Sequence, residues 1–219
     1  VYPACCGMPQ LEQGDLGRVA ARAREVAGAL GPWIDKGYDV IALVPSCALM
    51  LKFEWPLIVS GDAAVERLSR ATFDISEYVV DIAGKEGLAP GLQALPGGVT
   101  VLVACHARAQ TRGQKSSEML PLLPDVDLAV FERCSVHGGS WGIMQRNFDV
   151  AMKVGRPVAR QAVQQARAHL AAECPLAGLH IAQGMGRLDP ALAVPEPRHP
   201  IELMALAYGL QDAVRPARE

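Results

Sequence analysis

Five apolar stretches of the chain each run straight into cysteine, and together they account for all six cysteines. The stretch 1–4 meets Cys5 and Cys6, 40–46 meets Cys47, 99–104 meets Cys105, 127–133 meets Cys134 and 169–173 meets Cys174. Four of the five are rich in Val, Ile and Leu and read as buried strands, since short continuous apolar runs suit strands covered on both faces. In a parallel sheet the carboxyl ends of all strands lie along one edge, which is where open α/β sheets bind ligands. The pattern therefore predicts an α/β fold with its thiols gathered at the strand carboxyl ends.

Between these runs the apolar period lengthens to that of a helix. Leu16, Val19, Ala20, Ala23, Ala27 and Leu30 predict a helix over 15–34, with Asp15 as its N-cap. A strand over 39–44 follows, then a helix from 48 to about 57 that Pro56 should end. Further helices are expected over 62–68 and 75–82, the second opened by Asp74 or Ser76. The Gly/Pro-rich segment 84–98 reads as a linker. Beyond it come a strand over 99–104, a polar helix from Cys105 to Leu120, a strand over 127–131 and a glycine-rich loop over 137–142. A helix over 157–168, a short strand ending at Cys174 and a closing helix over 201–210, with Pro200 in its first turn, complete the pattern.

Cys6 and Cys47 stand about as far apart as Ser135 and Cys174, with loop, helix and strand in the same order in each interval. This is a weak internal repeat. It divides the chain into two βαβ-type, cysteine-rich subdomains, 1–90 and 91–219. A first-half counterpart of Cys105 would lie upstream of Val1, and the chain opens without Met, so an amino-terminal part is expected beyond this sequence.

Half of the 219 residues are apolar, enough for a substantial core without disulfides. A net charge of −2, with no basic block interleaved with aromatics, excludes nucleic acid as the expected partner. No apolar run approaches the roughly 18 residues of a membrane span, and no signal pattern opens the chain, so a cytoplasmic location with reduced thiols is expected.

Cys105, Cys134 and Cys174 are too far apart for a short chelating motif, so any site they form must be assembled by the fold. No C-x-x-C is present, which argues against a zinc ribbon and a thioredoxin-type pair. Thiolates from neighbouring strand ends, about 5 Å apart, suit an iron–sulfur cluster. His106 and His137 are candidates for a further ligand or a donor to cluster sulfur, against the commoner alternative of a loop histidine satisfied locally. Arg108, Arg112 and Lys115 follow Cys105 and would favour its thiolate, although such residues more often form a solvated helix face. The loop His137-Gly138-Gly139-Ser140-Trp141-Gly142 offers backbone N–H groups to an anion or a cluster sulfide, or is simply a tight turn.

At Cys5-Cys6-Gly7, Cys47, Cys105-His106, Cys134 with its glycine-rich loop, Cys174-Pro175 and His199-Pro200-Ile201-Glu202-Leu203, the chain resembles the cysteine-rich CCG-domain iron–sulfur proteins. These include the CCG-domain subunit of heterodisulfide reductase, the glycolate oxidase iron–sulfur subunit and, most similar, the iron–sulfur subunit of anaerobic glycerol-3-phosphate dehydrogenase. The resemblance implies an electron-transfer subunit or domain of an oxidoreductase. It implies one or two four-iron clusters, held by Cys105, Cys134 and Cys174 and by Cys5, Cys6 and Cys47. Its partner would be a flavin-containing dehydrogenase or other redox protein, with a quinone or the inner membrane reached through that partner. The chain departs from the family at Met50 and Ala177, where each C-x-x-C loses its second cysteine, and at Ser135 in the second CCG. The five-cysteine arrangement for heterodisulfide cleavage is thereby unsupported. The alternative is a thiol- or cluster-based reductase of disulfides or peroxides.

Overall fold

The computed structural model describes residues 3–210. Its first half contains α1 (Met8–Glu12), α2 (Leu16–Ile34), β1 (Val40–Ala42), α3 (Pro45–Leu49), a π turn over Met50–Glu54, α4 (Trp55–Ile58), α5 (Ala63–Arg70), β2 (Thr72–Asp74) and α6 (Ile75–Lys85). Asp15, Asp62 and Asp74 cap α2, α5 and α6 by accepting first-turn backbone N–H groups, and Glu77 completes a capping box with Asp74. β1 and β2 pair in parallel, Val40 opposite Thr72. The apolar stripe of α2 (Val19, Ala23, Val26, Leu30) packs with Met50, Leu51, Trp55, Val65 and Leu68. The buried Trp55 indole N–H donates to the Cys6 carbonyl at 3.0 Å, tying the double-cysteine segment to this core.

The second half runs β3 (Val99–Leu102), α7 (Cys105–Ala109), α8 (Lys115–Met119), β4 (Leu128–Phe131), α9 (Gln145–Gln165), β5 (His169–Ala172), α10 (Pro175–Leu188), β6 (Pro197–Arg198) and α11 (Pro200–Ala207). Its strands form one parallel sheet in the order β4-β3-β5-β6. Alternation along β3 sends Val99 and Val101 to one face, against Met119, Leu120, Leu203 and Met204. Leu102 faces the other side with Leu170, Ala172, Val158, Ala159 and Ile181. The protein is thus α/β with parallel sheets, as the cysteine-terminated apolar runs predict.

Several local expectations are corrected. Val1 and Tyr2 of the first expected strand lie outside the described residues, and 3–7 contains no strand. Pro56 does not end its helix: the π turn before it shifts the hydrogen-bond ladder, and the helix continues to Ile58. The polar helix after Cys105 is broken where Thr111 and Gly113 take positive φ (54° and 79°). α9 begins at Gln145 rather than at Pro157. The apolar set Ala151, Met152, Val158, Ala159 and Ala162 keeps helical spacing straight through the proline, whose ring lies on the exposed side. The strand before Cys174 stops at Ala172, and Cys174 is the N-cap of α10. The 84–98 segment is docked rather than free, with Leu88, Leu92 and Leu95 on the core and Gln93 N–H donating to the Ala207 carbonyl at 2.9 Å. Among the described residues no helix is long and apolar enough to cross a membrane.

The start of α11 carries a pH dependence. His199 is its N-cap, with Nδ1 accepting from Ile201 N–H at 3.2 Å, and burial lowers its pKa from an ordinary 6.5 to about 4. A depressed folded-state pKa means that the folded protein resists protonation, so stability present above pH 6.5 is lost as the pH falls towards 4. His199→Asn keeps a capping acceptor but cannot titrate. Urea unfolding should show its acid-side loss of stability flattened across that window; an unchanged slope would contradict this account.

Candidate cysteine site

β4, β3 and β5 are neighbours, and Leu102 of β3 lies opposite both Phe131 and Ala172, so three strands end at one level. The chain then delivers Cys105, Cys134 and Cys174 within a few residues of those ends. All three line one cavity of about 160 Å³, with His106, His137 and Ser46 also in its wall.

Each sulfur has its own surroundings. Arg108 Nη2 donates to Cys105 Sγ at 3.6 Å, one turn along α7. Arg112 and Lys115 do not serve the thiol: they pair with Glu77 and Glu118. Cys134 Sγ accepts from Val136 N–H at 3.2 Å, and Val136 is held at φ 64°, an unusual conformation for a β-branched residue. Burial foremost, with Cys105 nearby, pushes the Cys134 thiol up. Cys174 is different. Burial opposes ionisation there, but His137 and the amides of Ala177 and Leu176 hold its pKa below the ordinary thiol range. His137 Nε2 lies 3.5 Å from Cys174 Sγ while Nδ1 lies 3.3 Å from the Gly139 carbonyl. That geometry places the ring proton on Nδ1 and turns the basic nitrogen to the sulfur.

Gly142 of this loop is required by close approach of the backbone. A Cβ on Gly142 would lie 2.6 Å from the His137 carbonyl and 2.7 Å from that of Val136. Gly142→Ala should therefore destabilise the fold by about 1–3 kcal/mol, as other overpacked sites do. It should also displace His137, seen as a higher Cys174 pKa in alkylation-rate titrations of the metal-free protein; an unmoved pKa would show that the loop absorbs the methyl.

The other three thiols form a second group. Cys6 is buried, Cys47 half-buried and Cys5 exposed. Hydrogen bonding to Cys47, with burial, raises Cys6, and the same bond lowers Cys47. Ser46 and Pro45, next to Cys47, border the second-half cavity, and Gln110 Nε2 donates to the Pro45 carbonyl at 3.4 Å. Glu12, just past the double cysteine, enters the same wall beside Gly139. All six cysteines are free, and among the described residues no group of three or more His, Cys, Asp or Glu could hold a single metal ion.

A layer of buried charge underlies the thiols. Glu173 is 1% exposed and accepts from Ala104 N–H at 3.3 Å, between the segments that carry Cys105 and Cys174. Burial first, then Asp74, pushes its pKa up to about 7. Nearby, buried Lys52 pairs with Glu77, which also binds Arg112. Nothing in the sequence pattern assigns a role to Glu12, Glu173 or Lys52; for Glu173, a charge inside the apolar run before Cys174 was the one available signal. No protein-family model and no curated protein matches the chain.

Proposed function

We propose that the chain is an iron–sulfur electron-transfer subunit or domain of an oxidoreductase. The observation that carries this reading is the convergence of Cys105, Cys134 and Cys174, from three adjacent strand ends, on one cavity. A single ion needs its donors packed about one point, and no such group is present among the described residues. A cluster spreads its thiolates over different irons, and the donor set suits that chemistry. In this reading the three thiolates hold a four-iron cluster, with Cys5, Cys6 and Cys47 as a second site. Arg108 and the Val136 N–H offset negative charge on sulfur. The bound group supplies one-electron transfer; the protein holds it, shields it and sets its electrostatics.

Two CCG-type repeats, 1–90 and 91–219, belong to the same proposal. In each half a strand preceding a cysteine pairs in parallel with a later strand that leads into a boxed helix, Asp74 with Glu77 and His199 with Glu202. A flavin-containing dehydrogenase or another redox protein is the partner, with a quinone or the inner membrane reached through it from the cytoplasm. The anaerobically purified protein should be brown, with charge-transfer absorbance that dithionite bleaches. A colourless preparation would sink the reading.

One observation favours a second reading. Cys174 joins a basic histidine nitrogen to a helix N-terminus, the combination that activates thiols as nucleophiles. As a reductase of disulfides, the Cys174 thiolate would attack one sulfur and expel the other as thiolate. Cys105 or Cys134 would then attack Cys174 Sγ, expel the second substrate thiolate and leave an intramolecular disulfide, which an external dithiol would have to reduce for turnover. Cys174→Ser abolishing disulfide reduction in an iron-free protein would support it; unchanged rates would reject it.

A further inference from the structure

The outer face of α9 and the turn before it form an exposed surface that the cysteine site does not use. Trp141, Ile143, Met144, Val150 and Val154 are all more than 40% exposed. At 3.6 residues per turn, Arg146, Lys153, Arg156 and Arg160 fall within an arc of about 80°, and Val150, Val154 and Pro157 within the adjoining arc of about 60°. All four cations are exposed, and the only acid on the helix, Asp149, is taken by Arg187 at 3.0 Å. The whole chain carries −2, so this cationic stripe runs against the overall charge. It starts at the site: Trp141 belongs to the loop whose Gly138 and Gly139 line the cavity, and Arg133 stands in the cavity wall beside exposed Cys105 and Cys134.

We propose that this face is the docking surface for an acidic redox protein, with Trp141, Ile143 and Met144 at the contact centre and the α9 cations steering association. It rests on the electron-transfer reading above. Aromatic residues, Met and Arg are the types enriched where proteins meet, and complementary charge chiefly sets the encounter rate. A protein partner fits better than a lipid surface, because Val150 and Val154 share their side of the helix with Asn147 and Gln161 rather than with a continuous apolar stripe.

The test compares two electron donors to the intact protein in stopped flow: a reduced acidic plant-type ferredoxin and the reduced methyl viologen radical. Arg146→Glu/Lys153→Glu/Arg156→Glu should slow reduction by ferredoxin about tenfold or more at low salt and remove much of its salt dependence, and Ile143→Ala should slow it at all salt concentrations. The viologen rate and the iron content should be unchanged. Equal ferredoxin rates in wild type and variants would overturn the docking surface while leaving the electron-transfer reading intact. A protein that neither donor reduces would overturn the reading itself. Loss in the variants of co-sedimentation with phosphatidylglycerol vesicles, with ferredoxin rates unaffected, would make the face a membrane contact instead.

Discussion

Cys174→Ser should cost the protein most of its second-half iron while leaving it folded, if Cys105, Cys134 and Cys174 hold a cluster as proposed. Serine is a good helix N-cap, so α10 keeps its start, and the substitution removes only the soft sulfur donor. Loss of a partner one step outside a metal's ligand set already costs about 10–100-fold in affinity, so loss of a direct ligand should lower cluster retention by at least about tenfold. His137→Ala, which removes the neighbour of that sulfur, should have a smaller effect on iron and a larger one on Cys174 reactivity, because His137 lowers the thiol pKa. Iron and sulfide analysis of anaerobically purified variants, with circular dichroism to verify folding, reads both. Full iron in Cys174→Ser would remove Cys174 from the site.

Glu77→Ala should be the most damaging single change to stability, by about 3–5 kcal/mol, because it leaves a buried cation without its partner. The Lys52 side chain is 3% exposed; burial first lowers its pKa, and Glu77 opposes that loss. Glu77 also binds Arg112 and closes the capping box of α6. One carboxylate therefore joins the π turn, α6 and the segment after α7, across the two halves of the chain. Replacing both members, as Lys52→Met/Glu77→Leu, should recover much of the loss, since a well-packed apolar pair often matches a buried ion pair. Urea unfolding of the two single variants and the double variant gives the coupling directly. A loss below about 1 kcal/mol in Glu77→Ala would mean that water reaches Lys52, since pairs open to solvent are worth that little.

The parts of this architecture legible in the sequence are those with long apolar signals. The runs before Cys47, Cys105, Cys134 and Cys174 became β1, β3, β4 and β5, and the period of α2 set its length and its cap at Asp15. β2 and β6 escaped because strands of two or three residues, one of them opening on Pro197, show no alternation. α10 escaped because Gly178, Gly184 and Gly186 interrupt its apolar pattern. Two of those glycines serve packing: a Cβ would lie 2.8 Å from Pro197 at Gly178 and 2.9 Å from Ala159 at Gly184. The gathering of three thiols was legible because parallel strands share one carboxyl edge. The pairing of Cys174 with His137 was not, since it depends on a loop folded by Val136, Gly138 and Gly139 at positive φ. Nor was the buried charge layer: Lys52 and Glu77 lie far apart in sequence and pair within the first half, and Arg112 and Glu173 join them from the second.

Whether these thiols hold an iron–sulfur cluster is decided by iron and acid-labile sulfide content, with an EPR spectrum of the dithionite-reduced, anaerobically prepared protein. About four or eight irons per chain, equal sulfide and a reduced-cluster signal are the expected result. An iron-free protein with all six thiols titratable would contradict it.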